Sequence, residues 1–93
     1  MLFSVHALDR PGIEEKRKAI HAEHLAHVRS ATNYGVSITV GGPLADDGTT
    51  SIGSLMVLEA ADRATVERFN RDDPFVRNGI WGAVEIRRFV RKE

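Results

Sequence analysis

Apolar and polar positions follow two different periods along the chain, and the first third shows both. Residues 2–8, LFSVHAL, alternate as a strand does, and the following DRPG has the composition of a turn. Residues 13–34 contain neither Gly nor Pro and are rich in Ala, Glu, Lys, Arg and His. This stretch predicts a helix of about five or six turns, which Gly35 ends.

The middle of the chain predicts a hairpin. VSITVGGPL alternates with Ile38 and Val40 on one side and Thr39 on the other. The polar ADDGTT contains an Asp-Gly pair and leads into a third strand, SIGSLMVLEA.

The last third predicts one more helix and one more strand. Asp62 is a candidate N-cap for a helix in RATVERFNR, with Val66 and Phe69 as core anchors and Pro74 as its end. IWGAVEIRRFV alternates as the final strand. The order β-α-β-β-α-β predicts a single α+β domain over residues 1–93, a ferredoxin-like sandwich with a four-stranded antiparallel sheet and two helices on one face.

The second face of this sheet mixes polar and apolar side chains. Such a face could be solvated, but it also suits a homodimer that stacks two sheets around a semi-polar cavity, which we expect here. The candidate residues are Leu2, Ser4, His6, Leu8, Thr39, Ser54 and Met56.

The composition narrows the function classes. Lys plus Arg and Asp plus Glu number 13 each, so charge gives no reason to expect nucleic acid or an acidic membrane as a partner. The absence of cysteine excludes a disulfide framework and a thiolate nucleophile. No signal peptide or long apolar run is recognisable, and we expect a soluble, cytoplasmic protein.

Three histidines, His21, His24 and His27, stand three residues apart in the predicted helix. Side chains with this spacing fan over roughly 120° of a helix with 3.6 residues per turn, which does not favour a shared metal. We therefore expect no metal site, and we place His21 and His27 on the partly exposed flanks of the helix.

His24 differs because it shares the inward stripe of the helix with Arg17, one heptad earlier. The stripe runs through Ile20, Val28 and Ala31. A buried imidazole needs a partner, which could be a backbone carbonyl. An inward guanidinium needs an anion, which could come from the protein or from a ligand.

Two further motifs carry candidate partners. Asp72 and Asp73 in DDPF lie where a helix ends, so each carboxylate is either solvated or held by a cation such as Arg17 or protonated His24. The glycines of VGGPL and IGS allow a close approach of the backbone, but no helix begins there to bind a phosphate.

These motifs, in their order and spacing, make the chain resemble the YCII-related (YciI-like) proteins over essentially its whole length. The matching elements are DRPG, Arg17, His24-Leu25, GGPL at 41–44, Gly53-Ser54, and DDPF followed by Gly79. The resemblance implies a ferredoxin-like fold that dimerises as an α+β barrel. The family is similar to muconolactone isomerases, and it includes a dehydrochlorinase that acts on a chlorinated hydroxyhydroquinone.

The resemblance also implies an active site that pairs the helix histidine with the aspartate of Asp-Pro-Phe. By position these are His24 and Asp73, since Asp73 directly precedes the Pro-Phe pair. The other matching positions imply a pocket lined by Arg17, Gly42, Pro43 and Ser54.

Two hypotheses follow. The first is a cofactor-independent enzyme in which His24 and Asp73 act as an acid–base pair on a small cyclic metabolite, as an isomerase, a lactone-rearranging enzyme or a dehydrochlorinase-type lyase. The second is a dimeric module that binds a small ligand without chemistry and uses the same pair to hold the fold together.

Overall fold

The computed structural model describes residues 1–92, and its strands form one antiparallel sheet in the order β2-β3-β1-β4. This is the split βαββαβ topology that the sequence predicts. The elements are β1 (Leu2–Asp9), α1 (Glu14–Arg29), a 3-10 helix (Ala31–Tyr34), β2 (Ser37–Ala45), β3 (Ser51–Glu59), α2 (Arg63–Arg71), α3 (Pro74–Arg77) and β4 (Trp81–Phe89).

The first helix is shorter than predicted. α1 ends at Arg29 because Ser30 turns the chain: its hydroxyl donates to the His27 carbonyl at 2.6 Å, a bond that competes with helix continuation. The 3-10 helix then runs to Gly35, whose φ of 81° lies in the left-handed region. Gly35 is therefore the terminator that the sequence predicts, but of the 3-10 helix.

The second helix begins and packs as predicted. The Asp62 carboxylate accepts a hydrogen bond from the Thr65 amide at 2.9 Å, so it caps α2. Val66 and Phe69 are fully buried against the sheet.

A short third helix is absent from the sequence prediction. Pro74 follows the end of α2, as expected, but it is also the first residue of α3. Proline suits this position because its fixed φ matches a helix and its missing N–H would have no partner there. Asp73 is the N-cap, and its side chain accepts from the Phe75 amide.

The hydrophobic core lies between the helices and one face of the sheet. Phe3, Val5 and Ala7 of β1 are buried there, in register with residues of β3 on the same face. Those partners include Met56 opposite Val5 and Ser54 opposite Ala7, and both are buried. Our prediction that Ser54 and Met56 lie on the second face is therefore wrong. β3 carries apolar residues on both faces, so its pattern does not fix its orientation.

An irregularity in β2 changes a second expectation. The pairing between β2 and β3 shifts between Ile38 and Val40, so Thr39 adds a residue to the ladder. Ile38 consequently packs against the core, whereas Val40 faces away from it and is 62% exposed. The two residues do not share a face as predicted.

The model gives one finding on membranes. Within residues 1–92, no helix has both the length and the apolar character that a membrane span requires.

Gly53 supplies a test of how closely β1 and β3 pack. A Cβ at this position would lie 2.4 Å from the Ala7 carbonyl oxygen, a distance that would push the strands apart. We expect Gly53→Ala to lower the free energy of unfolding by about 2 kcal/mol, measured by urea denaturation. Gly42→Ala is the matched control, because nothing lies within 4 Å of a Cβ there. Equal stabilities of the two variants would contradict this packing.

Candidate active site

His24 and Asp73, which are 49 residues apart in the sequence, are hydrogen-bonded. The Nδ1 atom of His24 lies 2.8 Å from Oδ1 of Asp73. The carboxylate is buried, with no exposure of the residue, and the same Oδ1 accepts from the Phe75 amide at 2.9 Å. α1 therefore meets the junction of α2 and α3 through one carboxylate oxygen.

This bond indicates which nitrogen of His24 carries the proton. A carboxylate only accepts hydrogen bonds, so we assign the Nδ1 proton to the bond with Asp73. In the neutral imidazole, Nε2 is then left as an acceptor. His24 lines a cavity, so Nε2 is the nitrogen available to a molecule bound there.

Two aromatic rings hold the plane of the His24 imidazole. The ring stacks on Phe75 with 4.0 Å between centroids and an interplanar angle of 4°. Trp81 meets it edge-on at 5.8 Å. The side chain of His24 is 12% exposed, so the hydrogen bond and the stacking together fix its orientation.

The inward guanidinium of Arg17 finds its anion within the protein. Its Nη1 donates to Oδ1 of Asp9 at 2.7 Å, and the two side chains are only 12% and 8% exposed. Burial raises the pKa of the Asp9 carboxyl, and the Arg17 charge opposes that rise. The guanidinium carbon also lies 4.7 Å from the centre of the Phe75 ring. Asp9 belongs to the DRPG motif, whose composition predicts only a turn, so the pairing of Asp9 with Arg17 was not predicted.

Ser54 joins Arg17 to Trp81. Its Oγ accepts from Nη2 of Arg17 at 3.3 Å and from Nε1 of Trp81 at 3.2 Å. The residue is 6% exposed and lies on β3 beneath α1. Ser54 faces the helices because it pairs with Ala7, a core-facing residue of β1. The sequence pattern of β3 did not determine this register.

A cavity of about 530 Å³ lies between α1 and the hairpin of β2 and β3. Five of the six predicted site residues line this cavity. The exception is Asp73, which lies behind His24 and is hydrogen-bonded to it. The lining residues are Glu14, Arg17, Lys18, His21, His24, Leu25, Val28, Ile38, Gly41, Gly42, Pro43, Thr49, Thr50, Ser51, Ser54 and Met56.

The other two histidines of the helix have separate surroundings. His21 is exposed at the cavity, whereas Nε2 of His27 lies 2.7 Å from the Phe69 carbonyl and its ring stacks on Phe69 at 4.5 Å. His27 is half-buried, as a flank position implies, but its contact with the end of α2 was not predicted. No cluster of three potential metal ligands occurs within residues 1–92.

The neighbouring acid, Asp72, has different partners from Asp73. Tyr34 donates its hydroxyl to Oδ2 of Asp72 at 2.7 Å, and Arg77 donates to Oδ1 at 2.8 Å. These two bonds lower the pKa of the Asp72 carboxyl. Of the two adjacent acids, Asp73 is thus the one hydrogen-bonded to His24.

The sequence model of the YCII-related domain family matches residues 1–90, so the chain belongs to that family. An uncharacterised protein of Haemophilus influenzae is 27% identical over 96 residues, which cover 98% of each chain.

Two solved structures resemble the chain. The 5-chloro-2-hydroxyhydroquinone dehydrochlorinase TftG of Burkholderia phenoliruptrix, solved in complex with 2,5-dihydroxybenzoquinone, is 32% identical with a TM-score of 0.88. The alignment covers 99% of this chain and 96% of that one. A protein of Pseudomonas aeruginosa is 20% identical with a TM-score of 0.58, over 99% of this chain and 93% of its own, and it supports the fold alone.

The buried pair of Asp9 and Arg17 leads to a prediction about stability. Arg17→Met leaves the Asp9 carboxylate buried without a cation and is expected to lower the free energy of unfolding by about 3 kcal/mol. A double-mutant cycle with Asp9→Asn, measured by urea denaturation, should show strong coupling. The exposed pair of Arg63 and Glu67 is the control, with a coupling of about 0.5 kcal/mol or less. Simple additivity for Asp9 and Arg17 would contradict the prediction.

Proposed function

We propose that the chain is a cofactor-independent enzyme in which His24 acts as a general base, oriented by Asp73, on a small cyclic metabolite. The observation that carries the proposal is the His24–Asp73 hydrogen bond at the wall of a cavity of about 530 Å³. A cavity of this size suits a small ring compound. The likeness to TftG supports this class of substrate, since that dehydrochlorinase shares 32% of its residues with the chain and its complex holds a small oxygenated ring.

In the proposed mechanism, Nε2 of His24 removes a proton from the bound ring. Asp73 stabilises the imidazolium that forms, because its carboxylate accepts the Nδ1 proton and is buried away from water. The electron pair released by the substrate spreads into the ring and onto its oxygens. From that anion, loss of chloride completes a dehydrochlorination, with one proton and one chloride removed from the substrate. Return of the proton to another carbon completes an isomerisation or a lactone rearrangement.

The remaining predicted residues form the wall around the reacting ring in this proposal. Gly42 and Pro43 are exposed on β2 and close one side of the cavity with little side-chain bulk. Arg17 presents a guanidinium whose charge is already balanced by Asp9. We therefore propose that Arg17 mainly holds and polarises the Ser54 hydroxyl. Direct contact between the guanidinium and a substrate oxygen is a secondary role.

A non-catalytic ligand-binding module is the second candidate, and one observation favours it. Asp73 also caps α3, so its bond with His24 holds two helices together regardless of any reaction. In that case the cavity binds a metabolite and the pair serves only the fold.

We also propose that two chains associate through the face of the sheet opposite the helices. Several large apolar side chains there are exposed, including Leu8 at 51%, Leu55 at 38% and Phe89 at 41%. Ser4, His6 and Glu85 lie among them, so the face is semi-polar. A second copy of the chain would cover these side chains and complete an α+β barrel.

Activity measurements separate the two candidate functions. With 5-chloro-2-hydroxyhydroquinone and candidate lactones as substrates, we expect His24→Ala and Asp73→Asn to lower kcat/KM by about tenfold or more. Asp72→Asn is the matched control, because that carboxylate bonds Tyr34 and Arg77 and lies outside the cavity lining. Its activity should stay near that of the wild type.

Two outcomes would contradict the enzymatic proposal. Turnover that neither His24→Ala nor Asp73→Asn reduces would refute the acid–base pair. A large loss of melting temperature in His24→Ala, with no turnover by the wild type on any substrate tested, would favour the ligand-binding module.

The dimer is tested by sedimentation. We expect the wild type to sediment at twice the mass of one chain, and Leu55→Glu to shift it to a monomer because a charge would be buried in the interface. Glu23→Gln on the exposed side of α1 is the control and should remain a dimer. A wild type that sediments as a monomer at micromolar concentration would contradict the proposed interface.

A further inference from the structure

The hydroxyl of Ser54 has its acceptor positions filled by two groups that can only donate. Nη2 of Arg17 and Nε1 of Trp81 lie 3.3 and 3.2 Å from Oγ. A guanidinium and an indole have no acceptor atom, so neither can receive the Ser54 proton. A serine oxygen has two lone pairs and one proton. Both lone pairs are therefore engaged, and the proton must point elsewhere.

The two donors cannot easily move to release Ser54. Arg17 is held by Asp9 at 2.7 Å, and its guanidinium lies over the Phe75 ring. Trp81 is 2% exposed and packs edge-on against the rings of both Phe75 and His24. The orientation of the Ser54 hydroxyl is consequently set by two side chains that are themselves fixed.

A molecule in the cavity can supply the acceptor that the Ser54 proton lacks within the described residues. Ser54 is 6% exposed and lines the cavity, and no acceptor within residues 1–92 is hydrogen-bonded to its hydroxyl. A buried donor without an acceptor is costly, and a ligand oxygen would relieve that cost. Serine hydroxyls often donate to a nearby backbone carbonyl. The two groups hydrogen-bonded to Ser54, from Arg17 and Trp81, are both donors instead.

We propose that Ser54 is a preorganised hydrogen-bond donor for a carbonyl or oxyanion oxygen of the bound ring. The inference rests on the proposed function, because it concerns the same cavity and the same substrate. It narrows the ligands to small rings that present an acceptor oxygen to β3 while a proton-bearing atom reaches Nε2 of His24. Removal of that proton increases the negative charge on the ring oxygens, so the bond from Ser54 strengthens as the anion forms. The serine proton stays on Oγ throughout.

Binding of 2,5-dihydroxybenzoquinone, measured by calorimetry, tests the donor role. Ser54→Ala removes the hydroxyl, and Ser54→Cys keeps a weak acceptor for Arg17 and Trp81 but donates poorly. Both variants should raise the Kd by about tenfold or more, whereas Ser54→Thr, which keeps a hydroxyl, should bind within about threefold of the wild type. Ser37→Ala is the control, since Ser37 is an exposed serine of β2 outside the cavity lining. If Ser54→Ala does not fold, Ser54→Cys carries the test.

The outcomes distinguish this inference from the proposed function. If Ser54→Ala or Ser54→Cys, folded by circular dichroism, binds the quinone as tightly as the wild type, the donor role is refuted. Binding by Ser54→Thr as weak as that of Ser54→Ala would refute it too. In either case a loss of turnover in His24→Ala would leave the acid–base proposal standing. Failure of the wild type to bind the quinone would overturn the inference, whereas turnover of another substrate would still uphold the His24 base.

Discussion

The hydrogen bond between His24 and the carboxylate of Asp73 joins α1 to the start of α3 and orients the imidazole at the wall of the cavity. Oδ1 of Asp73 accepts from the His24 ring and from the Phe75 amide, while Oδ2 is buried without a hydrogen-bond partner within residues 1–92. A buried carboxylate is costly unless it accepts hydrogen bonds, and α1 supplies one of them by placing His24 against this oxygen. The cap of α3, the position of α1 and the direction of the imidazole therefore depend on one contact.

A second polar contact, one heptad earlier on α1, holds the other end of the same wall. Asp9 at the end of β1 fixes Arg17, and Arg17 in turn contacts Ser54 and the ring of Phe75. Phe75 also stacks on His24, so the two contacts share one aromatic ring. Groups that are held in this way need little reorganisation when charge develops in a bound ring, which is the condition for electrostatic stabilisation of an anion.

The sequence predicted the contacts that a regular period encodes. The heptad from Arg17 to His24 placed both side chains inward, and the spacing of Val66 and Phe69 identified the buried side of α2. Both follow from the 3.6-residue repeat of a helix, which needs no knowledge of the partner surface.

Features that depend on strand register or on local hydrogen bonds could not be predicted from the sequence. The extra residue at Thr39 reverses the alternation of β2, and the hydroxyl of Ser30 ends α1 early. The capping role of Asp73 had a recognisable signal, because an aspartate directly before a proline is typical of a helix start. The pairing of Asp9 with Arg17 had none, since a strand end and a helix face meet only in the folded chain.

The protonation of the His24 ring tests this account most directly. Nitrogen-15 NMR of the histidine side chains, recorded with the imidazoles neutral, distinguishes the two neutral tautomers. The account predicts that His24 carries its proton on Nδ1 and leaves Nε2 bare, and that Asp73→Asn perturbs this tautomer while Asp72→Asn does not. A ring protonated on Nε2, or one unaffected by Asp73→Asn, would contradict the assignment of His24 as a base oriented by Asp73.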